Sequence, residues 1–184
     1  MIGLEGKSLF SSRLCYRLLS GEDKAALAEI LSEPEVTEPA GFRVAKSREE
    51  FDEFFTGLTA YNTALGIYLG DTLIGYVHVN KETSDDPALK DKPCVSVGFV
   101  IGTPWHRQGY GVEMLKTVTD YLLTRFAACY ADCFPENEAS RKTIEKCGYH
   151  YVEDYTFFFQ GLGEEKTCHS YVRLAEPNVQ TKPE

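Results

Sequence analysis

Arg107, Gln108, Gly109, Tyr110 and Gly111 stand between two runs of different period, and that arrangement can bind an anion. Before them, Val95, Val97, Phe99 and Ile101 fall at period two with Ser96, Gly98 and Val100 between, which reads as a strand that Gly102, Thr103 and Pro104 stop. After them, Val112, Leu115, Val118 and Leu122 recur at helical spacing. The free N–H groups of a helix's first turn, and the positive end of its dipole, can hold a phosphate or pyrophosphate. Gly109 and Gly111 lack a Cβ, so an anion can come close to the backbone there. A bare glycine pair before a helix is also a common turn. A dinucleotide-binding turn is disfavoured: Met114 stands where its third glycine belongs, and the gap from Gly102 to Gly109 is too long. A Walker loop is excluded, because no glycine precedes Lys116-Thr117.

The elements that must position this loop follow from the rest of the chain. Its 184 residues suit one domain, and the 43% hydrophobic content is enough for a core. Leu14–Leu19 reads as a first strand. Ser20-Gly21-Glu22-Asp23 starts a helix over about 21–32, with a carboxylate three residues after the cap. Glu33–Gly41 is a loop or broken helix that carries Glu33, Glu35 and Glu38; Ser47 caps the next helix, whose buried face is Phe51, Phe54, Phe55 and Leu58. A hairpin follows, Ala64–Leu69 and Thr72–Asn80 about Gly70-Asp71. Residues 81–93 form a charged surface loop, and the central strand and helix run to about Arg125. Phe126–Phe134 is a strand, Glu138–Lys146 a short helix ending at Gly148, Tyr149–Phe159 a β-prone aromatic run, and Cys168–Leu174 the last strand. Residues 1–12 are an uncommitted lead-in, and the tail 175–184 is expected to be disordered. The order β-α-α-β-β-β-α-β-α-β-β is mixed α/β with hairpins, not regular βαβ alternation.

Charge and cysteines bound the partners. A net charge of −9 argues against nucleic acid, whose binders need basic surface. It leaves room for an amine, although acidity often serves solubility alone. No basic, apolar leader opens the chain and no run is long enough for a membrane span. Cys15, Cys94, Cys129, Cys133, Cys147 and Cys168 include no CxxC pair and do not cluster with the histidines. They read as small reduced core residues rather than disulfides or metal ligands.

Two stretches together carry a resemblance. Val97-Gly98-Phe99, Trp105, Gly109-Tyr110-Gly111 and Glu113 are followed by Asn137, Ser140 and Glu145-Lys146-Cys147-Gly148-Tyr149. At this spacing, over about residues 12–174, the chain resembles the GNAT superfamily of acyl-CoA-dependent N-acetyltransferases, most closely the RimJ/RimL branch that acts on ribosomal protein N-termini. The Arg13-Leu14 strand before Ser20-Gly21-Glu22-Asp23 resembles that branch too. The resemblance implies a single GNAT-like domain over 1–174. Its α/β (α+β) fold would be a largely antiparallel twisted sheet of about six to seven strands with helices on both faces. A parallel pair, 94–102 and 126–134, would be splayed. Acetyl-CoA is then the co-substrate, with no metal. Its pyrophosphate is expected on the amides of Arg107, Gln108, Gly109, Tyr110, Gly111 and Val112, beside His106. Its pantetheine would lie along the strand edge at Val100 and Ile101, with Asn137 and Ser140 touching the arm. The acceptor would be a primary amine, a small molecule or a protein N-terminus, for a cytoplasmic monomer or homodimer that uses neither nucleic acid nor membrane.

The chemistry sets its own demands. An ammonium of pKa near ~10 must lose a proton before it attacks a thioester, so a base or water chain is needed. Where many family members carry a tyrosine acid this chain has Ile144, and where many RimJ/RimL-type members carry a glutamate it has Ser96. The candidate catalytic residues are therefore Ser140 as proton donor, and His78, Ser96 through water, or Glu138 as base. Each also has a plainer role, His78 as an ordinary strand residue, Glu138 as a solvated one and Asn137 as a helix cap. The missing acid and base leave a second possibility, a degenerate domain that binds acyl-CoA as a sensor or scaffold.

Overall fold

The computed structural model describes residues 6–176. The strands are β1 (Leu9–Phe10), β2 (Leu14–Leu18), β3 (Ala64–Leu69), β4 (Thr72–Glu82), β5 (Cys94–Ile101), β6 (Ala128–Cys133), β7 (His150–Phe159) and β8 (Glu164–Leu174). The runs of helical period become α1 (Lys24–Ile30), α2 (Pro34–Thr37), α3 (Arg48–Thr59), α4 (Tyr110–Leu122) and α5 (Glu138–Lys146). All eight strands join one sheet in the order β1-β2-β3-β4-β5-β6-β8-β7. Among the described residues only β5 and β6 pair in parallel; every other pairing is antiparallel. The sheet thus exceeds the expected six to seven strands, because two-residue β1 is too short to show alternation in the sequence.

Alternation along the strands divides the core between two faces. Val77, Val79, Val95, Val97, Cys129 and Ala131 face Met114, Leu115, Val118 and Leu122 of α4 and Ile144 of α5. The opposite face carries Tyr76 and Val100, packed on Leu27 and Ile30 of α1, Val36 of α2 and Phe55 of α3. Met114, Leu115, Val118 and Leu122 are each almost wholly buried, worth about 1.5–3 kcal/mol apiece. All six cysteines are free and five of them are buried. Among the described residues no helix is long and apolar enough to cross a membrane.

Boundaries shifted where a local signal competed with packing. Ser20 stands at the N-cap as expected, and the Asp23 carboxylate three residues on accepts from Ser20 N at 2.8 Å, but a 3-10 turn, Gly21–Asp23, precedes α1. The proline-bearing loop becomes α2 and a second 3-10 turn, so it is the broken helix. The helix after the glycines starts at Tyr110 rather than Val112. Strand β8 starts at Glu164 because pairing with β7 recruits its polar end. Ala175 still donates to Ala127 O at 2.9 Å, so backbone pairing runs one residue into the expected tail. The rest of that expectation, residues 177–184, and positions 1–5 of the expected domain lie outside the described residues.

Candidate functional site

The glycine-rich loop is built to leave the start of α4 open. Gly109 is its N-cap at φ 82°, a left-handed conformation that a Cβ would strain, and no side chain caps the helix. The first bond of the helix runs from Glu113 N to Gly109 O at 3.1 Å, so the amides before it have no helical acceptor. Arg107 is also left-handed, at φ 59°. Surrounding bonds hold this conformation. His106 Nε2 donates to Ile101 O at 2.6 Å and Gln108 Nε2 to Pro104 O at 2.9 Å. Arg13 Nη1 donates to Gln108 O at 3.1 Å.

Arg13 and Glu113 bolt the loop to β2. The guanidinium meets Glu113 Oε2 at 2.7 Å and lies 4.3 Å over the Tyr110 ring, while Arg13 N and Ser11 Oγ donate to Glu113 Oε1. Burial works to raise the Glu113 pKa, but the hydrogen bonds from Ser11 and Arg13 outweigh it and hold the carboxyl below its ordinary value. Glu113 is a structural residue here. Tyr110 is buried, so only its backbone faces the loop, and the exposed Arg107 is the cation at the helix mouth.

Beside that helix end the sheet opens. Strands β5 and β6 pair from Cys94↔Ala128 to Val97↔Ala131 and no further, although β5 continues to Ile101. Gly102 N donates to Ile74 O at 2.9 Å, which aims the backbone groups of Val100 at β4 and those of Phe99 and Ile101 at the open edge. The Val100 side chain is buried in the other core. Of the two expected edge residues, Ile101 therefore faces the opening, with its carbonyl taken by His106, while Val100 does not; Phe99 takes its place. Period-two alternation was legible, but which edge each residue faced required the partner strand.

Helix α5 lies against α4 at this opening. A Cβ on Gly111 would meet Thr143 Cγ2 at 3.6 Å, and Cys147 Sγ donates to Val112 O at 3.4 Å. Asn137 caps α5, its Oδ1 accepting from Ser140 N at 3.0 Å. Asn137, Ser140 and Thr143 follow one another at helical spacing from the end of β6 to the start of α4. Thr143 had no signal of its own in the sequence.

The candidate acid–base groups separate. The His78 ring lies over Gly98, its Cε1 2.4 Å from where a glycine Cβ would stand. Its Nδ1 is buried without a partner, and burial lowers its pKa, so the imidazole is neutral. His78 pairs with Gly98, one residue past the last β5–β6 pair, so it stands at the opening. Ser96 lies on the same face but two residues deeper, paired with Asn80 and Tyr130 where the sheet is closed. Glu138 is exposed and bonded to Lys142 at 2.8 Å, at the start of α5. Ile144 is fully buried in the core and leaves no acid there.

The α2 segment covers this end of the sheet. Thr103 donates to the Glu33 carboxylate, Arg43 N donates to Gly161 O at 3.1 Å, and Asn137 Nδ2 reaches Pro39 O at 3.5 Å. Gly41 and Gly161 allow this close approach, since a Cβ at either would strike Phe159 or Phe42 at 2.7 Å. Between the segment and the start of α5 is a cavity of about 760 Å³, lined among others by Glu38, Glu136, Asn137, Glu138, Glu164 and Lys166. That volume suits a small organic ligand.

A family model described as the acetyltransferase (GNAT) domain matches residues 13–150. No curated protein matches the chain significantly. An acetyltransferase of the GNAT family from Bacillus anthracis is similar in structure, with a TM-score of 0.78 at 20% identity over 92% of this chain and 99% of that one. Spermidine N-acetyltransferase from Vibrio cholerae, in complex with CoA and spermine, gives 0.72 at 16% over 90% and 97%. Mycobacterium smegmatis RimJ, in complex with CoA-disulfide, gives 0.70 at 15% over 91% and 84%. Likeness at these identities shows the fold.

Proposed function

The chain belongs to the GNAT acetyltransferase family, and from that premise we propose that it transfers acetyl from acetyl-CoA to a primary amine. The observation that carries this reading is the uncapped start of α4 at Gly109 beside the unpaired edge of β5. The amides of 107–112 and the Arg107 cation suit a pyrophosphate. Pantetheine would run past Thr143, Ser140 and Asn137 and pair with the Phe99 and Ile101 edge, which brings the thioester to Gly98 and His78. Neighbours solved with coenzyme A or CoA-disulfide support this choice of co-substrate. The acceptor class is a small-molecule amine or a protein N-terminus, and the working compartment the cytoplasm.

In this mechanism neutral His78 takes one proton from the ammonium and passes it to water. The amine lone pair forms the N–C bond on the thioester carbonyl. The C–S bond breaks as the intermediate collapses, and the second amine proton ends on the departing thiolate, with Ser140 as its relay. Alignment supplies most of the rate, because amine and thioester react as one unit. Calorimetry with coenzyme A, and thiol release from acetyl-CoA over a panel of amines, test the proposal. Absence of coenzyme binding would sink it. Binding with no release on any amine would favour the sensor reading, for which buried Ile144 is the supporting observation.

A further inference from the structure

The transfer proposed above needs a group that selects the acceptor, and the sheet aligns one across from His78. His78 of β4 faces Gly98 of β5, and Val97↔Ala131 is the last β5–β6 pair. Val97 and Ala131 both point into the core beneath α4. The next residues, Gly98 and Asp132, therefore point to the opposite face, where the His78 ring leans over Gly98. His78, Gly98 and Asp132 form one row across three strands, with no side chain at its middle. Two strand spacings separate the outer members by about 10 Å at their Cα atoms, more where the sheet splays. The His78 ring fills the space directly above Gly98, so a single nitrogen can sit past its edge, between the ring and Asp132.

Asp132 is prepared for a cation. Tyr155 Oη donates to its Oδ2 at 3.1 Å from β7. Asp132 is exposed by surface area, yet enough protein crowds its carboxyl for desolvation to raise its pKa. Hydrogen bonds from Ser170 and Tyr155 oppose that rise, and the Glu82 charge adds to it. Among the described residues no cationic side chain forms an ion pair with it. Tyr155 is itself raised, first by burial and then by the Asp132 charge, so it stays a phenol and keeps donating. A desolvated carboxylate without a cation is costly, and an arriving ammonium removes that cost. On the far side of the row, His78 Nδ1 is buried without a partner.

We propose that Asp132, held in place by Tyr155, binds the ammonium of the acceptor between its carboxylate and the His78 ring and so determines specificity for cationic primary amines. The assignment rests on the acetyl-transfer reading. Asp132 holds the nitrogen in its charged form, His78 takes the proton, and the neutral amine is already over the thioester.

The test uses acetyl-CoA with three probe acceptors: spermidine, tyramine and a tripeptide with a free amino terminus. For the amines that wild type acetylates, D132N is expected to raise KM about tenfold or more, as loss of a charged hydrogen bond implies. Its coenzyme A affinity, measured by calorimetry, is expected to stay within about twofold, and D132E to recover part of the KM. Y155F should raise KM about two- to fivefold, and it carries the same test if D132N folds poorly. An unchanged amine KM in D132N and Y155F overturns the assignment. So does a parallel fall in coenzyme A affinity, which marks a structural role, or a wild type that binds coenzyme A yet acetylates none of the probes. A wild type that does not bind coenzyme A instead removes the transfer reading itself.

Discussion

At the scale of single residues, burial decides what the ionisable groups can do. His78 loses its charge to desolvation, and a base must be neutral to accept a proton. Below a pH somewhat under its ordinary 6.5, log kcat/KM should therefore gain an extra unit of slope. H78Q should lack that break and lose about 10²–10⁴-fold in kcat, read from a pH–rate series. Asp23 is the opposite case. Desolvation works to raise its pKa, but hydrogen bonds from Tyr68 and Ser20, with the Arg17 charge, hold it below its ordinary 3.8. The folded state binds this proton less tightly than the unfolded one. Its stabilisation is thus present above about pH 4 and is lost as pH falls through the lowered pKa. D23N should cost about 1–3 kcal/mol at neutral pH and flatten that acid-side slope, in urea melts across pH.

At the scale of elements, the start of α4 is the feature to perturb. Gly109 needs its left-handed φ, so an aspartate there mixes backbone strain with charge. Gly111 is the cleaner position. A Cβ there makes only ordinary contacts, 3.6 Å to Thr143 and 3.8 Å to Ile101. G111A should keep coenzyme A binding, whereas G111D should weaken it about 100-fold or more, with the melting temperature little changed, by calorimetry and thermal melts. The bolt between β2 and α4 acts on the same element from outside. R13A frees the Gln108 carbonyl and leaves Glu113 with one fewer donor. The pair is partly exposed, so the stability cost should be about 1 kcal/mol, alongside a several-fold weaker coenzyme A affinity.

At the scale of the whole molecule, one parallel pairing among the described strands, in an otherwise antiparallel sheet, makes the candidate site. Parallel neighbours need a crossover, and here that crossover is α4, so the helix start and the open edge arrive together. The far edge of the sheet has a different character. Strand β7 leaves Tyr151, Val152, Phe157 and Phe158 exposed and contains neither lysine nor proline. Such an edge promotes association. F157K should raise the concentration at which light scattering first appears, while coenzyme A binding stays the same.

The sequence by itself determined the element types, because the switch from period two to helical spacing at Gly109 and Gly111 is local. It also determined the helix caps at Ser20, Ser47 and Asn137, whose partners lie three residues on. With the paired motifs it was enough for the family. Tertiary structure alone decided which residues meet. Arg13 reaches Glu113 from 100 residues away, Phe99 rather than Val100 faces the open edge, and Asp132 aligns with His78 through an intervening strand. Strand register and the hand of a strand edge are set by packing between distant segments, and a linear pattern carries no record of that distance.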